Sequence, residues 1–121
     1  MPALILVDMD DTLALGERPN ETLIAKLRSQ RGDRLIHIVS GRQIGRLAET
    51  RKWLNDNNVP HTAVHLSDFP AGPNAAVAFK KYKAEKLIEE GYEISIAIDD
   101  DLAAREAYRS LGIRAVSPAR F

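Results

Sequence analysis

Ala3-Leu4-Ile5-Leu6-Val7-Asp8-Met9-Asp10-Asp11-Thr12-Leu13 runs five apolar residues straight into three carboxylates and a hydroxyl. An unbroken apolar run rich in branched side chains reads as a strand buried on both faces, as strands inside parallel sheets are. In such sheets ligands bind beyond the carboxyl ends of the strands, which places Asp8, Asp10 and Asp11 at the mouth of a crevice. Crowded carboxylates repel one another, and a bound cation is the physical reason to tolerate them.

The rest of the chain alternates between the two periodicities. Pro19-Asn20 opens a helix that Asn20 caps, with Leu23, Ile24 and Leu27 on its apolar stripe and Gly32 as its stop. A second strand spans 34–40. Gly41 turns the chain into a helix over 42–57 whose predicted core positions are Ile44, Leu47, Ala48 and Leu54. A strand over 61–66, a turn-rich stretch over 67–74 and a helix over 75–90 ended by Gly91 come next. A strand over 94–98, a helix over 102–111 with Gly112 at its end, and a short strand over 113–116 complete the series. Alternating strands and helices predict a single doubly wound, Rossmann-like parallel sheet of five strands, helices on both faces, as one α/β domain over 1–121.

The 121 residues suffice for a hydrophobic core, and 45% hydrophobic with 28% charged residues is ordinary for a soluble globular chain. Seventeen basic residues balance seventeen acidic ones, so no global field calls for nucleic acid or membrane. The chain has no cysteine, which excludes structural disulfides and thiolate zinc sites. No leader-like segment and no membrane-spanning apolar run is seen, so a cytoplasmic protein is expected.

Under this fold three strand ends share one edge of the sheet. They carry Asp8 to Thr12, Ser40-Gly41-Arg42 and Asp99-Asp100-Asp101. Helix capping accounts for Asp101 but not for Asp8 and Asp10, which precede their helix by about ten residues. Phosphoryl transfer needs an attacking carboxylate, a second carboxyl to move the proton and a hard cation on oxygen ligands. It also needs donors for the phosphoryl oxygens. Every one of these parts is available here.

The four stretches, Asp8-Met9-Asp10-Asp11-Thr12, Ser40, a helix-borne lysine and Ile98-Asp99-Asp100, resemble in order and placement the haloacid dehalogenase (HAD) superfamily of phosphotransferases. The resemblance implies Asp8 as nucleophile, Asp10 as general acid and base, and Thr12 and Ser40 as supports of the loop and the phosphoryl group. It also implies Mg²⁺ held by Asp8, the Asp10 carbonyl and Asp99, with Asp100 beside it. Asp11 stands where many members carry Gly. Of the lysines on the 80–86 segment, Lys83 fits the family's helix best, with Leu87 and Ile88 following it, and Lys80 is the runner-up. Val39 to Arg42, Arg51 to Leu54, Val59-Pro60, Ala97 to Asp100 and Tyr108-Arg109-x-x-Gly112 further resemble the phosphatase domain of bacteriophage polynucleotide kinase/phosphatases, which removes 3′-phosphates from nucleic-acid ends. No P-loop is present, so only the phosphatase half is implied.

Gly41 and Arg42 are the further phosphate-binding candidates, Arg42 at a helix start where N–H groups and a guanidinium act together. Trp53 reads as core packing rather than a base-stacking platform, and His37, His61 and His65 as structural or exposed. HAD phosphatases often close over small substrates with a cap inserted after the first or third strand. Here those gaps, 10–20 and 67–74, hold a short flap and a loop. A capless, open site suits a phosphate at the end of something large, such as a nucleic-acid terminus. It also suits a small metabolite or mononucleotide if a neighbouring subunit of an oligomer covers the crevice. A third reading is a phospho-accepting signalling domain resembling response-regulator receivers, in which the phosphorylated Asp ends the third strand, here near Asp68.

Overall fold

The computed structural model describes residues 2–30, 32 and 34–121. Strand β1, Ala3–Val7, is followed by a two-stranded antiparallel flap of β2, Ala14–Leu15, and β3, Arg18–Pro19. Then come α1, Glu21–Gln30; β4, Arg34–Gln43; a single 3₁₀ turn, Ile44–Arg46; and α2, Leu47–Asp56. The second half holds β5, Ala63–Ser67; α3, Ala75–Glu89; β6, Glu93–Ile98; α4, Leu102–Ser110; and β7, Ala115–Val116.

The main sheet has the order β5-β4-β1-β6-β7, with every pair parallel. Taking its five strands in sequence, this is the 3-2-1-4-5 order of doubly wound nucleotide-binding sheets, whose crevice opens where the order reverses. That point lies between β1 and β6. The order also excludes the receiver-like reading, because receiver sheets run 2-1-3-4-5. Here the third strand, β5, is at the sheet edge and Asp68 is exposed beyond it.

Strand β1 is central because both its faces are apolar. Ile5 and Val7 pack with Leu23, Ile24 and Leu27 of α1 and Leu54 of α2. Leu4 and Leu6 pack on the opposite side with Phe79, Ala84 and Leu87 of α3 and Tyr108 of α4. All four β1 side chains are essentially fully buried, each contributing about 1.5–3 kcal/mol relative to exposure. Val7 pairs with Ile38 on one side and Ile98 on the other. The next residues out, Asp8 and Asp99, therefore emerge side by side, anchored by Asp8 N–H on the Ile98 carbonyl and Asp99 N–H on that of Val116, both at 3.0 Å.

Asn20 caps α1 as expected, its Oδ1 accepting the Leu23 N–H at 3.2 Å. The largest departure lies after β4. The strand continues past Ser40 to Gln43, pairing Gln43 with Ser67 beyond an irregularity, and α2 starts only at Leu47. Gly41 passes so close to α3 that a Cβ on it would collide with the Ala76 Cβ and stand 3.1 Å from its Cα. Arg42 is pinned in extended backbone by its side-chain bonds, and Gly45 is a poor helix former. Of the predicted core positions of α2, Leu54 is buried and Leu47 half-buried, whereas Ile44 (56% exposed) and Ala48 face solvent. Strands β5 and β7 also pair later than predicted, from Ala63 and Ala115. Neither the flap nor the 68–74 connection holds a cap, and no described helix is long and apolar enough to cross a membrane.

Candidate active site

The turn after β1 is built by its own backbone. The N–H groups of Leu13 and Ala14 both donate to the Met9 carbonyl, at 3.0 and 2.9 Å, and Asp11 takes a left-handed conformation with φ 62°. An aspartate tolerates that conformation better than most residues, at a cost glycine avoids. Met9 and Leu13 point into the core, which holds Asp8 and Thr12 at the sheet edge, both buried. Thr12 Oγ1 donates toward Asp8 Oδ2 (3.1 Å) and Asp100 Oδ1 (3.0 Å) and accepts the Asp100 N–H at 3.1 Å. One hydroxyl proton serves one acceptor at a time, so Thr12 alternates between the two acids. It thereby ties the β1 turn to the β6 turn.

Lys80, on the second turn of α3, reaches this centre. Its Nζ lies 2.6 Å from Asp99 Oδ2 and 3.2 Å from Asp8 Oδ1, with all three side chains buried. This corrects the choice of Lys83. Lys80, Ala84 and Leu87 form the inward stripe of α3, whereas Lys83 lies one residue off that stripe, where its charge acts on His65. Ile88, offered in support of Lys83, is exposed.

Carboxylate oxygens of Asp8, Asp99 and Asp100 all lie within 4.8 Å of one another. Burial pushes the Asp8 carboxyl well above its ordinary range; Lys80 partly offsets this and the Asp99 charge adds to it. Asp99 is raised for the same reason, again against the pull of Lys80. Burial also opposes the charge on Lys80, but the two acids outweigh it and its pKa lies above the ordinary value. With all three carboxylates ionised, the one ammonium beside them would leave two negative charges uncompensated. That deficit, and the all-oxygen donor set, fit a hard divalent cation.

Asp10 faces the other way. Its carboxylate receives Arg42 in a fork, Nε at 2.9 Å and Nη2 at 2.7 Å, and these bonds hold its pKa below the usual value. Arg42 also donates to Thr50 Oγ1 at 3.0 Å, and its backbone N–H to Ser40 Oγ at 3.1 Å. The helix-start role expected for Arg42 is therefore corrected: it acts from the end of a strand, through its side chain. Asp101 is corrected too, since it sits at the N-cap of α4 without a side-chain cap bond. Asp99 Oδ1 instead accepts the Asp101 N–H at 3.0 Å.

Together Asp8, Asp10, Ser40, Gly41, Arg42 and Lys80 line an open cleft of about 370 Å³, with Asp11, Arg46, Ala76, Asp100 and Asp101 completing it. Sequence reasoning passed over Arg46 on the cleft rim and Arg105, whose Nη1 donates to the carbonyls of Asp99 and Asp100 and fixes that turn. An arginine four residues beyond Asp101 was the available signal for Arg105. Trp53 packs against the core, with its indole N–H on the Glu17 carbonyl at 3.3 Å, so it steadies the flap. His37 and His65 bond each other at 3.0 Å, away from the cleft.

No family model matches the sequence, and no curated protein aligns with it significantly. Solved structures do match. A chain of the Pnkp1/Rnl/Hen1 RNA repair complex superposes with a TM-score of 0.78 at 18% identity, over 96% of this chain and 42% of that one. The HAD domain of effector protein Lem4 from Legionella pneumophila gives 0.54 at 15% identity, over 99% and 88%. A UDP-glucosyltransferase from Polygonum tinctorium gives 0.64 at 14% identity, over 96% and 29%. The chain thus spans less than half the length of the RNA repair chain that it matches. A glucosyltransferase among these neighbours shows that a shared sheet does not carry a shared reaction. The likeness establishes the fold, a doubly wound α/β core similar to that of the HAD domain, with no cap inserted among the described residues.

Proposed function

We propose that this HAD-like chain hydrolyses phosphomonoesters through an aspartyl-phosphate on Asp8, acting on nucleic-acid or nucleotide phosphates, 3′-phosphorylated ends first among them. The observation that carries the proposal is the buried network of Asp8, Thr12, Lys80, Asp99 and Asp100, held short of positive charge at the reversal point of the sheet. Capping cannot explain it, because Asp8 caps no helix and two of the acids are driven toward protonation by burial.

Asp8, Asp99, Asp100 and the Asp10 carbonyl would hold Mg²⁺. When bound, that ion would offset the repulsion between carboxylate and phosphate and keep Asp8 ionised. Asp8 Oδ attacks phosphorus as the ester P–O bond breaks, and Asp10 delivers a proton to the leaving oxygen. Asp10 then takes a proton from water as that water attacks the phospho-aspartate, releasing inorganic phosphate and restoring Asp8. Lys80 and the Ser40 hydroxyl serve the phosphoryl oxygens. Asp10 can move protons only when its ion pair with Arg42 opens, and the incoming phosphate is the competing anion for that guanidinium. A cytoplasmic setting accompanies this reading.

Asp8→Asn should lower phosphomonoester hydrolysis in Mg²⁺ by about 10³-fold or more. Unchanged turnover in the variant would sink the mechanism. A second reading, a phosphatase for a mononucleotide or small metabolite, is supported by the cleft volume of about 370 Å³. Rates on a 3′-phosphorylated oligonucleotide and on nucleoside 3′-phosphates separate the two.

A further inference from the structure

Resting on the phosphatase reading, we propose that Arg46 is a specificity residue that binds a second anionic group of the substrate. That group is the phosphodiester preceding a terminal 3′-phosphate. The argument begins with the three cations that line the cleft, Arg42, Arg46 and Lys80. Lys80 is buried between Asp8 and Asp99 and belongs to the reacting centre. Arg42 is 10% exposed, bonded to Asp10 and Thr50, and assigned to the scissile phosphate itself. Arg46 differs in every respect. It ends the 3₁₀ turn at the cleft rim, and its side chain is 47% exposed. Its partner among the described residues is Glu49, one turn along and 60% exposed, with Nε and Nη2 on the two carboxylate oxygens at 3.1 and 3.2 Å.

An exposed pair of this kind is weak and exchanges readily for a better anion. Glu49 holds both donor nitrogens of the guanidinium, and a phosphodiester presents the same two-oxygen face that Glu49 does. Arg46 is therefore positioned for an anion beside the scissile group rather than for the scissile group itself. With seventeen acids balancing seventeen basic residues overall, such discrimination has to come from a placed charge and not from a general field.

The probes are uridine 3′-phosphate and the dinucleotide UpUp, which share the reacting group and differ by one phosphodiester and one nucleoside. Arg46→Gln should raise KM for UpUp about five-fold and for uridine 3′-phosphate less than two-fold, with kcat little changed for either. The slope of log KM for UpUp against log salt should become shallower by about 0.7, the loss of one phosphate contact. Glu49→Gln, which releases the guanidinium, should lower KM for UpUp. An equal rise in both KM values, or none in either, overturns the assignment while leaving the phosphatase reading intact. Failure of the unmodified protein to hydrolyse p-nitrophenyl phosphate, uridine 3′-phosphate and UpUp alike overturns both.

Discussion

The ends of β1 and β4 lie next to each other on one sheet edge and are built in opposite ways. The β1 end is acidic, with Asp8 and Thr12 buried, closed by backbone bonds to Met9, and tied to β6 through Thr12. The β4 end is more exposed and basic, running three residues beyond Ser40 before a single 3₁₀ turn, and its arginines are held by side-chain carboxylates. At one end Asp8 sets negative charge where water is scarce; at the other Arg46 sets positive charge where solvent reaches. Bond making suits the first, because electrostatic effects grow in a low dielectric. Recognition suits the second, because an exposed pair can exchange partners. The Asp10–Arg42 fork is the one ion pair among the described residues that joins the two ends.

The comparison breaks most visibly at Lys80, among the described residues the single ammonium inside the acidic end. Lys80→Met should reduce kcat by about 10²–10³-fold, as expected for loss of a buried charge aimed at the reacting group. It should also lower the melting temperature in EDTA, with partial recovery in Mg²⁺, since two buried carboxylates lose their partner. Lys83→Met should leave kcat within about two-fold, given its place outside the cleft. Equal losses for the two variants would refute the division of roles between them.

A smaller effect is expected at the fork. Arg42 lowers the Asp10 pKa, so the pair stabilises the fold above the unfolded aspartate value of about 3.9. That stabilisation is lost as pH falls through the lower folded value. Arg42→Ala should melt below the unmodified protein at pH 7, and the gap should narrow as pH falls below about 4. A gap independent of pH would show that Arg42 contributes only packing. The smallest effect belongs to Asp11, an exposed residue at φ 62°. Asp11→Gly relieves a left-handed backbone and should change stability by about 0.5–1 kcal/mol or less, read by chemical denaturation.

The acidic end was legible in the sequence, and the basic end largely was not. Five consecutive apolar residues leave a central strand no alternative, and Asp8 and Asp99 follow from where two such strands stop. Position 42 was misread because Ser-Gly-Arg before an amphipathic stretch satisfies the rules for a helix start. The close pass of Gly41 over Ala76 and the grip of Asp10 on Arg42 are contacts between segments distant in sequence. Lys83 was preferred on the apolar residues that follow it. The choice turned on which stripe of α3 faces the sheet, and Phe79 and Ala84 settle that. Asp101 occupies the capping position that the statistics favour, yet its side chain makes no cap bond.

The contact between Gly41 and Ala76 sets how deep α3 sits, and one turn later α3 carries Lys80 to the acids. Bulk added at either position would lift the helix and draw the ammonium away from Asp8. Residues 41 and 76 are thus expected to vary together among descendants of this chain, both staying small. In redesign, a larger residue at either would have to be matched by a longer or repositioned cation at 80.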